Sequence, residues 1–106
     1  MVNGGTEQAV IVHMKLSDGT FGTPTEREAA LALEDRLEDV IGQATGGEYD
    51  GHEFGEGWCK FYMYGDNAEM LANVIAEPLR SMEFLEGSFL VQRVGPPGSP
   101  ETTTKL

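Results

Sequence analysis

A chain of 106 residues can bury one real core but not two, and 40% apolar against 24% charged side chains excludes a disordered polymer. With 18 acidic and 7 basic residues the net charge is −11, which argues against nucleic-acid or anionic-membrane binding and would steer a basic protein partner toward the chain. One cysteine, Cys59, excludes an internal disulfide, and without a basic leader or a long apolar run the expected location is the cytoplasm.

Residues 1–8 read as a flexible N-terminus, 9–95 as a single domain and 96–106 as a Pro/Gly-rich tail or an added edge strand. The first strand alternates Val10, Val12, Met14 and Leu16 on a buried side with Ala9, Ile11, His13 and Lys15 on the other. Ser17-Asp18-Gly19 supplies turn chemistry. Thr23, Pro24 and Glu26 combine a hydroxyl cap, proline at the first helical position and a capping-box glutamate. The helix they start carries Ala30, Leu33, Leu37, Val40, Ile41 and Ala44 on one side. Its other side carries Arg27, Glu34, Asp35, Glu38 and Asp39, and Gly46-Gly47 ends it.

The acidic, glycine-rich stretch 48–57 reads as a short edge strand, paired in a hairpin with the aromatic strand 58–64. A second helix opens at Asp66, read as its cap, with Glu69 in the capping box. Its apolar stripe runs through Leu71, Val74, Ile75, Leu79 and Met82, and Pro78 is expected to shorten its last turn. Residues 88–94 form a last core strand.

Strand, helix, strand, strand, helix, strand is the order of a ferredoxin-like βαββαβ sandwich, an antiparallel sheet with two helices on one face. In that arrangement the first and third strands are central. Cys59, Phe61 and Met63 then face the helices, while Trp58, Lys60, Tyr62 and Tyr64 face away beside Ala9, Ile11, His13 and Lys15. So much aromatic area needs a reason. Either the tail, the glycine-rich loop or a second copy covers it, or it is a platform for a partner or ligand. RNA-recognition domains stack bases on such a face, but the leading basic residue and second glycine of their third-strand motif are missing here.

The densest polar cluster is Glu48, Asp50, His52, Glu53 and Glu56. In a regular strand Glu48, Asp50 and His52 share one face, the geometry of a carboxylate–imidazole metal site or an acid–base pair, yet the spacing matches no metal-binding motif and a solvated edge is the plainer reading. The acids Glu34, Asp35, Glu38 and Asp39 offer an anionic helix surface for a basic protein. No catalytic residue, metal or cofactor is predicted.

The stretch GEYDGHEFGEGWCKFYMYG at 47–65, with RVGPPG at 93–98, resembles a group of small uncharacterised bacterial proteins, a resemblance that implies no activity. Size, acidity, expected fold and Glu48-Tyr49-Asp50-Gly51 are more loosely similar to the bacterial ribonuclease E inhibitor family, which implies a protein partner. The expectation is a non-enzymatic protein-binding or regulatory module, self-association included. The alternative is a small-molecule-binding domain or enzyme using the open sheet face and the acidic loop, with His13, His52, Glu53, Tyr62 and Tyr64 as its polar groups.

Overall fold

Helix α1 (Pro24–Ala44) starts where its capping chemistry sets it. The Glu26 N–H donates to Thr23 Oγ1 at 3.1 Å, and the Thr23 N–H donates back to Glu26 Oε1 at 3.0 Å. The same carboxylate accepts the Ser17 N–H, tying the end of the first strand to the helix. Burial opposes ionisation of Glu26, but the bonds from Ser17 and Thr23 outweigh it and hold the carboxyl below its usual range.

The computed structural model describes residues 7–17, 19–44 and 47–106; Asp18 and Gly46, expected at the first turn and at the end of α1, lie outside them, as do residues 1–6. The chain is α+β, with strands β1 (Gln8–Lys15), β2 (Glu48–Gly55), β3 (Trp58–Gly65), β4 (Phe89–Arg93) and β5 (Glu101–Lys105), and helices α1 and α2 (Ala68–Arg80). Every strand pair is antiparallel, and the sheet order is β2-β3-β1-β4-β5. The tail thus adds an edge strand on β4.

Both helices bury their stripes against one sheet face. Val10, Val12, Met14 and Leu16 of the first strand region meet Cys59, Phe61 and Met63 of β3 there, with Leu33, Leu37 and Ile41 of α1 and Leu71 and Ile75 of α2. The cap of α2 differs from expectation. Asn67, not Asp66, accepts the Met70 N–H at 3.0 Å, and the Ala68 N–H is taken by Gln8 Oε1 at 2.8 Å, so Glu69 is not needed as a box partner. Helix α2 ends at Arg80, two residues after Pro78, and Ser81 closes it by bonding Glu77 O and Pro78 O.

The β2–β3 hairpin turns on Glu56 and Gly57, whose φ values of 53° and 86° are both left-handed, the twist that a two-residue hairpin turn requires. Gly57 also bonds Leu16 N and Thr20 O, clamping the turn to the loop after β1. A Cβ on Gly57 would lie 2.9 Å from the Gly19 carbonyl oxygen. Gly57→Ala therefore combines an unfavourable φ with a backbone clash, and should lower the unfolding free energy by about 2 kcal/mol in urea titration.

Candidate functional site

Strand alternation carries Trp58, Lys60, Tyr62 and Tyr64 to the face turned away from the helices, against Lys15, His13, Ile11 and Ala9 in register. On the far side of β1 the register places Phe89, Val91 and Arg93 beside His13, Ile11 and Ala9. Three rings converge at the centre. His13 stacks on Phe89 with centroids 4.3 Å apart, and Trp58 meets Phe89 edge-on at 5.6 Å and His13 at 6.1 Å. Lys15 Nζ stands 5.0 Å from the Trp58 ring centre, a cation–π contact.

Ala9 points outward as expected, yet it is fully buried, because large residues, Tyr64 and Arg93, flank it on both neighbouring strands. Val91 is buried as well and Lys15 is exposed, while the other members of the face are half-buried by one another rather than by another layer. Strand β5 lies edge-on to β4, so the tail widens the face instead of folding over it.

Electrostatics on this face differ from those of the whole chain. Of the chain's 7 basic residues, Lys15, Lys60, Arg93 and Lys105 stand here by register, against Glu48, Glu53 and Glu101, with the Asp50 and Glu7 charges also reaching Tyr64. Arg27, Arg36 and Arg80 are left elsewhere among most of the acids. Burial, then the Lys60 charge, pushes the His13 pKa down, with Glu101 opposing, so the stacked ring is neutral at physiological pH. Tyr62 donates to Glu53 Oε1 at 3.0 Å; burial and then this bond push its hydroxyl up to about 12. The Tyr64 hydroxyl is also raised, by burial first and Asp50 next, with Arg93 opposing.

The acidic stretch does not gather into one site. A bulge at Tyr49/Gly51, where Gly51 adopts φ 116°, breaks the alternation of β2. Glu48 faces out opposite Tyr64, while His52 pairs with Phe61 and turns to the helix side, which corrects the expectation that Glu48, Asp50 and His52 share a face. His52 Nδ1 lies 2.6 Å from Glu34 Oε2, so the ring presents an N–H there, and the Tyr49 hydroxyl donates to the same oxygen at 2.8 Å. Glu34 is therefore a tie between α1 and β2 rather than part of a free anionic surface, and His52 is withdrawn from His13, Tyr62 and Tyr64. Glu53 stays on the outer face, and Glu56 sits in the exposed turn, where it, Glu53, Phe54, Gly55 and Lys60 line a hollow of about 330 Å³.

Among the described residues no three His, Cys, Asp or Glu side chains come together in a way that could hold a metal ion, and no helix is long and apolar enough to cross a membrane. Sequence reasoning missed Phe89, which completes the ring cluster. It also missed an apolar groove of about 410 Å³ beside α2 and β4, lined by Ala72, Ala76, Leu79, Phe84, Leu90 and Leu106 among others. Comparisons of the chain with protein-family models, curated proteins and solved structures find no match.

Proposed function

We propose that the chain is a non-enzymatic, cytoplasmic protein-binding module of ferredoxin-like architecture, extended by β5, whose docking platform is the outer sheet face. The strand order β2-β3-β1-β4, with β1 and β3 central, supports the architecture. The observation that carries the function is the His13–Trp58–Phe89 ring cluster on the side of the sheet away from the helices, ringed by four of the cations of an otherwise strongly acidic chain. Trp and Tyr make large, low-entropy anchors, and desolvated aromatic centres dominate binding energy at interfaces. Cations and acids border the apolar centre together, so the local charge suits an apolar patch with a rim of mixed sign rather than the uniformly basic partner that net charge suggests. The loose likeness to the ribonuclease E inhibitor family points the same way, toward a protein partner.

A photo-crosslinker placed at Tyr62 in cells tests this reading. Adducts to one protein are expected, and Trp58→Ser should weaken that partner's binding about thirtyfold without unfolding the chain. Adducts to RNA, or binding indifferent to Trp58→Ser, would overturn it. The hollow beside Glu53, Glu56 and Lys60 favours a second reading, a polar small molecule held between sheet face and hairpin turn. A thermal shift with a metabolite set, abolished by Lys60→Ala, is its expected signature.

A further inference from the structure

The rim of the sheet, unlike its face, offers backbone groups rather than rings, so an interaction there is separable from the platform. Strand β5 is a fully exposed edge reading Glu101-Thr102-Thr103-Thr104-Lys105. Flanking its pairing with β4, Leu106 N–H donates to Ser88 O at 3.0 Å and Val94 N–H donates to Pro100 O at 3.2 Å. Both bonds belong to even-numbered residues of the β5 segment. Antiparallel alternation then commits Thr102 and Thr104 to β4 and leaves the N–H and C=O groups of Glu101, Thr103 and Lys105 aimed outward.

We infer that this edge pairs with β5 of a second copy of the chain, antiparallel about a twofold axis at Thr103, to make one continuous ten-stranded sheet. In that register Thr103 faces Thr103 of the partner subunit, and each Glu101 faces a Lys105 across the seam. All three outward-bonding residues are satisfied, and opposite charges meet at both ends. An isologous contact demands such self-complementarity, and the five residues supply it in backbone polarity and in charge together. Threonine, β-branched and uncharged, fills the centre.

The other edge has the opposite character. Strand β2 carries Glu48, Asp50 and Glu53 with a bulge at Tyr49/Gly51, features that prevent pairing, and two copies of it would bring acid toward acid. In a chain of net charge −11, the edge most able to approach its own copy is therefore the one whose charges cancel. The apolar groove opens beside the same edge, with Thr104, Lys105 and Leu106 in its lining.

Sedimentation velocity of the full chain over a range of concentrations tests this directly. A concentration-dependent dimer is expected, and Thr103→Pro, which removes an outward N–H without touching a bond to β4, should leave a folded monomer. Glu101→Lys alone and Lys105→Glu alone should each self-associate about tenfold more weakly, while an equimolar mixture of the two should recover the dimer, because only the mixed pair matches charges at both ends. A monomeric native chain, a dimer that survives Thr103→Pro, or charge variants that gain nothing on mixing would each overturn the inference. If the dimer survives Thr103→Pro but is lost in Trp58→Ser, the sheet face is the seam, and the platform stands while the edge pairing falls.

Discussion

Phe61→Ala should cost about 4 kcal/mol of folding stability, the loss typical of emptying a fully buried phenylalanine site. Phe61 has no exposed surface, and it lies in β3 between Val12 of β1 and His52 of β2, beneath both helices. It shares one core cluster with Leu33 and Leu37 of α1, Ile75 of α2 and Val12 of β1, so no single shift can fill the void. Domains of this size have about 5–15 kcal/mol in total, so the variant would keep only a fraction of its cooperativity margin. Urea titration gives the value. Phe54→Ala, on the edge strand and only partly buried, makes the internal comparison and should lose less than half as much. Equal losses would mean that the inner row of β3 is not the centre of the core.

The alternation that buries Phe61 was readable from sequence because β1 and β3 are regular strands with one wet and one dry side, so period two holds from end to end. Helix α1 was readable for a similar reason: Thr23, Pro24 and Glu26 specify a start without help from the rest of the fold. Prediction failed where distant residues decide. Asp66 and Asn67 are both competent caps, and the choice between them goes with Gln8, 60 positions away in sequence, which takes the Ala68 N–H. Nothing local reveals that Gly51 bulges, and a one-residue slip there sends His52 to the helix side and joins it to Glu34. Phe89 entered the ring cluster only through the register of β4 on β1, a long-range pairing that a single sequence does not encode locally. Half of the candidate site was therefore legible, the half carried by β1 and β3.

Stability should be flat through neutral pH and fall above about pH 9, in two stages set by different groups. Cys59 is fully buried, and burial, then the Glu34 charge, push its thiol up to about 12, well above the ordinary thiol range. The unfolded chain releases this proton near pH 9 while the folded chain holds it, so the raised folded value means that stability is whole below pH 9 and is lost as pH climbs toward 12. The slope from Cys59 is at most about 1.4 kcal/mol per pH unit. Tyr49 joins from about pH 10, because burial, then its hydrogen bond to Glu34, hold the phenol protonated beyond the ordinary alkaline range, and the raised Tyr62 and Tyr64 hydroxyls add to the same stage. Chemical denaturation at a series of pH values should show the steeper second stage. Cys59→Ala should move the onset to about pH 10, and Tyr49→Phe should make the fall beyond it shallower while Cys59, Tyr62 and Tyr64 still contribute. A Cys59→Ala profile parallel to that of the native chain at every pH would show that the thiol ionises alike in both states. A thiol that stays protonated to such high pH is no nucleophile at pH 7, and it places Cys59 with the core that supports the outer face rather than with any chemistry on it.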